Sequence, residues 1–215
     1  MSALNVFAIT REAPAGFTFE GHRVEFVPVS GAVAAVERTA SRQTVSEAAL
    51  RLQHEIVLQI AARVDEILPV RFGAFVDDRE LDGLLTRRQS SVQGALDLVR
   101  GRVQITLRGR DTGPAEPVAE VRSAPRATGT AYLEARRLAA IRPPPAAAVA
   151  ATSVVRHLVK AERHDSTRAP AWAIYHLIER GRVGDYLARL SGCDPASLVV
   201  SGPWPPFAFA PELWP

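Results

Sequence analysis

The chain has 215 residues, 47% hydrophobic and 23% charged, the balance of an ordinary folded protein and not of a disordered one. Its formal charge of +3 is small for this length, and the pI near 9.6 reflects arginines that never titrate, so neither points to a nucleic-acid partner. The one cysteine, Cys193, rules out an intrachain disulfide, and no apolar run is long enough to span a bilayer.

In chain order, Leu4 to Ile9 is apolar and alternating, a strand pattern, and Ala13 to Gly16 reads as a loop. Arg11 and Glu12 follow the opening apolar stretch too soon for a signal peptide, and the cysteine usage fits a reducing cytoplasm. Two short strands, Arg23 to Val29 and Ala32 to Val36, flank a hairpin signal at Ser30-Gly31. Thr44 and Glu47 form a capping-box pattern that predicts a helix to about Ile67, with Leu50, Val57, Ile60, Val64 and Ile67 on its apolar face.

The run Leu68 to Val76 then predicts a central strand, with Pro69 at its first residue and Arg71 on one face. An arginine there needs a carboxylate, expected from a flanking helix. Asp77 or Asp78 caps a helix that carries Leu81, Leu85, Val92, Ala95 and Val99 inward, places Arg87 and Arg88 near its middle, and ends at Gly101. Val103, Ile105 and Leu107 alternate with polar residues, the pattern of a half-exposed strand.

Asp111 to Ala127 has the composition of a mobile loop. A helix is expected from Thr128 to about Ile141, interrupted by Pro143-Pro144-Pro145, and another from Ala146 to about Ala161 with Ala151, Val155 and Leu158 inward. Strands follow near Arg163 to Arg168 and over Trp172 to Ile178, then a helix over Val183 to Leu190 and a strand over Leu198 to Ser201. The chain ends in an extended proline- and aromatic-rich tail that includes Trp204, Phe207, Phe209 and Trp214, which is read as non-helical. The fold class is therefore α+β, with an N-terminal mixed α/β domain over residues 1–101. The remainder, 102–215, runs strand, helix, strand, strand, helix, strand, the order of a ferredoxin-like domain, and carries the tail.

Chemistry-bearing motifs are scarce. The histidines, His22, His54, His157, His164 and His176, show no metal-ligand spacing, and His54 reads as a boundary residue bonded to a backbone carbonyl. No phosphate loop, dinucleotide fingerprint or nucleophile elbow occurs, so no catalytic, cofactor-binding or metal-binding residue is assigned. Val103 to Leu107 lacks the stacking aromatics of an RNA-binding sheet, which again speaks against nucleic acid. The residues left for contact with a partner are Arg71, Phe72, Trp204 and Phe207. The tail either fills a groove of its own chain or docks a partner, since a stiff extended segment loses little entropy on binding.

Leu68-Pro69-Val70-Arg71-Phe72-Gly73 with its acidic cap resembles the gas vesicle GvpF/GvpL family. So do the opening strand, the His54-bearing helix, Gly129-Thr130-Ala131-Tyr132-Leu133 with Arg136-Arg137, and the closing Ser201-Gly202-Pro203-Trp204-Pro205-Pro206-Phe207. The sequence departs from the family pattern at Phe207, where tyrosine is usual, and at Ala208, where serine is common. The resemblance implies two α+β domains, no enzymatic activity, and association with the shell protein GvpA and other gas vesicle proteins during vesicle assembly in the cytoplasm. An enzyme using a cleft between the domains, with Arg71 as an anion clamp, is the alternative.

Overall fold

The computed structural model describes residues 3–42, 44–110, 146–165, 171–193 and 198–213. The expected loop over 111–127, the helix after it and the triple proline lie outside the described residues, as does Trp214. The fold is mixed α/β. The chain divides into two compact units, one of residues 1–105, 177–183 and 202–215, the other of 106–176 and 184–201.

The first unit is built on β1 (Ala3–Thr10), every residue of which from Leu4 on is buried. It pairs antiparallel with β3 (Ala32–Thr39), which pairs with β2 (Val24–Val29). The turn between β2 and β3 is Ser30-Gly31, both at positive φ (49° and 75°), as a tight hairpin matched to the strand twist requires. On its other edge β1 pairs with β4 (Ile67–Pro69) and β5 (Phe75–Val76).

Helix α1 (Glu47–Ala61) packs on β1 and β4, and Phe7, Ile56, Val57, Ile60 and Ile67 form one core with it. Its N-cap is Ser46, which accepts from the Ala49 amide, and not Thr44. It ends at Ala61, so Ile67 belongs to β4. The buried face is Ala49, Gln53, Ile56, Val57 and Ile60, which leaves Leu50 exposed. The expected stripe was set too far round the helix because it counted only apolar residues and passed over Gln53.

Asp77 caps α2 (Asp78–Arg87) in a reciprocal capping box with Glu80. The single long helix expected here is two, because the backbone breaks at Arg88 before α3 (Gln89–Val99). Leu81, Leu85, Val92 and Val99 are buried as expected, with Leu96 in place of Ala95. Gly101 terminates the segment at φ 63°, as a residue just past a helix end often does.

The second sheet has the order β7-β8-β6-β9. Its strands are β6 (Arg102–Arg110), β7 (Val159–Asp165), β8 (Ala171–Glu179) and β9 (Val199–Trp204). Gln104 and Thr106 of β6 are as buried as Val103, Ile105 and Leu107, so this strand is not half-exposed; it lies inside the sheet between β8 and β9. Helix α4 (Ala146–Val155) buries Ala148, Ala151 and Val155 but stops earlier than expected, passing through a tight turn, Arg156–Leu158, into β7. Helix α5 (Val183–Leu190) has the expected bounds and buries Tyr186 and Leu190.

Candidate functional site

The run from Leu68 to Val76 is not one strand. Pro69 pairs with Ala8, the Val70 amide donates to the Phe7 carbonyl, and the Val6 amide donates to the Ala74 carbonyl. Arg71-Phe72-Gly73 therefore has no ladder partner and loops out, with Gly73 at φ 90°, a conformation natural to glycine. Val70 and Ala74 are both buried on either side of the excursion. Pro69 closes β4 instead of opening a strand, and this pairing forms an edge of the sheet, not its centre.

Arg71 accordingly projects outward. Its guanidinium lies 2.9 Å from Glu212 of the tail, with the two side chains 86% and 74% exposed. The buried partner expected from a helix is replaced by an exposed one from the chain end. An exposed pair contributes little, so Arg71→Leu is expected to change the unfolding free energy by less than about 1 kcal/mol, as read from urea midpoints. A larger drop would contradict this placement. Phe72 is half-buried.

The tail is packed. β9 carries the chain to Trp204, beyond the expected strand end, and Phe207–Phe209 form a short helical turn where no helical geometry was expected. The turn is fixed by the Phe209 amide donating to the Pro206 carbonyl at 3.0 Å and the Ala208 amide donating to Gln104 Oε1 at 2.8 Å. Gly202 sits at φ 123°, and a Cβ there would meet the Gln104 carbonyl oxygen at 2.8 Å, so only glycine fits.

In a turn of about three residues per revolution, positions two apart point to different sides. Phe209 is thus buried at 2% exposure while Phe207 remains 37% exposed. The Phe207 ring stacks on His54 of α1 (centroids 5.9 Å apart, planes at 23°), and Trp204 meets the same imidazole at 5.7 Å and 56°. His54 is therefore an aromatic platform and makes ring contacts where a carbonyl bond was expected. Its neighbour Gln53 donates from Nε2 to the Val70 carbonyl at 2.8 Å, which ties α1 to the start of the Arg71 loop. The structure thus gathers Trp204 and Phe207 on one helix, and links Arg71 to the tail through Glu212.

A second polar constellation lies in the other unit and has no counterpart in the sequence reading. His176 of β8 is fully buried. Its Nδ1 lies 2.6 Å from the Tyr186 hydroxyl and its Nε2 2.9 Å from a Glu162 carboxylate oxygen. A neutral imidazole satisfies both contacts, accepting from Tyr186 and donating to Glu162. Burial lowers the His176 pKa from its ordinary value, against the pull of Glu162. Burial pushes the Tyr186 hydroxyl well above the usual tyrosine range, which suits a hydrogen-bond donor and not a nucleophile. Burial also works to raise the Glu162 pKa, but hydrogen bonds from His164 and His176 outweigh it and hold the carboxyl low.

Among the described residues no group of histidine, cysteine or acidic side chains is arranged to hold a metal ion, and no helix is long and apolar enough to cross a membrane.

The fold and this site define a mixed α/β protein whose proline-stiffened tail lies across the first long helix and presents an aromatic face there. The family described as gas vesicle synthesis protein GvpL/GvpF matches residues 3–211, and the chain belongs to that family. Among solved structures, it is similar to the gas vesicle protein GvpF from Anabaena sp. PCC7120 at 15% identity, with a TM-score of 0.72 over 98% of this chain and 97% of that one. It is likewise similar to GvpF from Microcystis aeruginosa at 13% identity, with a TM-score of 0.71 over 97% and 99%. At such identities the likeness concerns the fold. No curated protein matches the chain.

Proposed function

We propose that this protein serves gas vesicle assembly by binding, without catalysis, the shell protein GvpA and other vesicle proteins in the cytoplasm. Family membership supports the vesicle setting. The single observation that supports a binding role is the half-open aromatic stack of His54, Trp204 and Phe207, held on a fixed backbone, where an apolar partner segment gains contact at little entropic cost. Arg71 and Phe72, on the loop that Gln53 and Glu212 anchor, are the flanking contacts in this reading. Shell subunits are apolar and need protection from aggregation before they join a growing wall. In fold terms we read the chain as two domains meeting at residues 101–102, the second ferredoxin-like; the strand order β7-β8-β6-β9 supports that reading.

The test is co-expression with GvpA and affinity capture. Phe207→Ala removes a ring that is 37% exposed and is expected to cut GvpA recovery at least about tenfold, the effect of losing roughly 1.4 kcal/mol of contact, while the melting midpoint moves little. Undiminished capture by this variant would remove the aromatic face from the interface.

A further inference from the structure

Resting on the reading of the aromatic face as a partner site, we infer that the segment held there is an amphipathic α-helix with a basic flank. The apolar surface extends beyond the three rings. Ser46 is the N-cap of α1, so Val45 and Leu50 stand at the two positions that a hydrophobic staple pairs across a helix start. Both stay open to solvent, at 72% and 46% exposure. Leu50 and His54 are four residues apart and share one face of the helix. Val45, Leu50 and the His54 stack with Trp204 and Phe207 thus make one strip along the first turns of α1. Exposed apolar side chains gathered in this way mark an interaction surface.

The strip offers side chains but little backbone. Beyond its first turn, the amides of α1 are spent inside the helix. In the tail, Pro203, Pro205 and Pro206 have no N–H. The Phe207, Ala208 and Phe209 amides donate to the Pro205 carbonyl, Gln104 Oε1 and the Pro206 carbonyl. A segment that covers this strip loses water from its own amides and finds no strand ladder to join. Its backbone groups must pair with one another, which a helix achieves and a lone extended strand does not. Apolar positions at four-residue steps on α1 also form the kind of ridge against which a second helix packs.

Charge gives the helix its flank. Beside the strip runs a second row at the same spacing, Glu47, Arg51 and Glu55, all exposed. Arg51 lies 2.5 Å from Glu47, so that pair is answered within α1. Glu55 has no hydrogen-bond or ion-pair partner among the described residues. The Arg71–Glu212 pair is balanced, so the strip is bordered by one net negative charge. The complementary helix carries lysine or arginine along the edge of its apolar face.

The test titrates the full-length protein into fluorescently labelled peptides of about 18 residues and reads anisotropy. One peptide has leucines at helical spacing among lysines, one alternates leucine and lysine, and one keeps the helical spacing with glutamate in place of lysine. Saturable one-site binding of the helical leucine–lysine peptide is expected, at least about tenfold tighter than the alternating isomer and about threefold or more tighter than the glutamate version. Leu50→Gln and Phe207→Ala, both at exposed positions, should each weaken that peptide at least about tenfold with the melting midpoint little changed. Glu55→Gln should erase its advantage over the glutamate version. Equal binding of the helical and alternating isomers, a glutamate version bound as tightly, or binding that survives both Leu50→Gln and Phe207→Ala would overturn the inference. Any of these beside a loss of GvpA capture in Phe207→Ala would leave the face itself assigned. Capture retained in that variant would remove the reading and the inference with it.

Discussion

Phe209→Ala is expected to lower the free energy of unfolding by about 3–5 kcal/mol, while Phe207→Ala, two positions away, costs no more than about 1 kcal/mol. Phe209 is among the largest fully buried side chains, and the turn that carries it packs against β4. Truncating it leaves a cavity that the neighbouring backbone cannot close, because Gln104 pins Ala208 and Gly202 lies hard against the Gln104 carbonyl. Phe207 already faces water over part of its surface, so its loss removes one stacked contact with His54 and leaves no void. Urea unfolding of the two variants checks the contrast. Equal midpoints would mean that the tail is not seated as described.

The second large effect concerns the buried histidine. His176→Leu is expected to cost about 2–3 kcal/mol near neutral pH, because it orphans the enclosed Tyr186 hydroxyl and removes one donor from Glu162. Adding Tyr186→Phe removes the orphan, so the double variant should regain about 1 kcal/mol or more; no recovery would show that the two groups are not coupled. The same residue sets a pH dependence. The pKa of His176 is lower in the folded chain than its ordinary value of 6.5, so the unfolded chain takes up a proton first as the solution is acidified. Its contribution to stability is full above pH 6.5 and is lost as the pH falls towards the folded pKa. Glu162, also lowered from its ordinary 4.5, loses its contribution in the same direction at more acid pH. The parent protein should therefore weaken steadily below pH 6.5, and His176→Leu should flatten the upper part of that decline. A parent whose stability is constant from about pH 7 to about pH 5 would contradict the buried neutral imidazole.

What the sequence made legible follows from local physics. The hairpin at Ser30-Gly31, the Asp77 cap, the Gly101 terminator and helix α5 each depend on residues close together in the chain, and each is where it was expected. The Arg71 loop was hidden because Val70 and Ala74 are buried on both sides of it, so alternation alone reads straight through the gap. Gln104 and Thr106 are polar residues in an alternating run, a pattern that reads as solvent-facing wherever polarity stands for exposure. Inside the sheet Gln104 is instead satisfied, in part by Ala208, which is 104 positions away. At the candidate site, Arg71, Phe72, Trp204 and Phe207 were visible as unusual residues, but the imidazole that organises two of them was read as a boundary histidine. His176 gave no signal, since its partners stand 10 and 14 positions away on other elements and belong to no spacing rule.

The aromatic face on α1 is the proposed contact for the vesicle shell protein. A photo-crosslinking phenylalanine analogue at position 207, with GvpA co-expressed, tests it most directly. A specific adduct with GvpA is expected at position 207 and none when the same group replaces exposed Glu12. Equal labelling at the two positions, or labelling only at position 12, would contradict it.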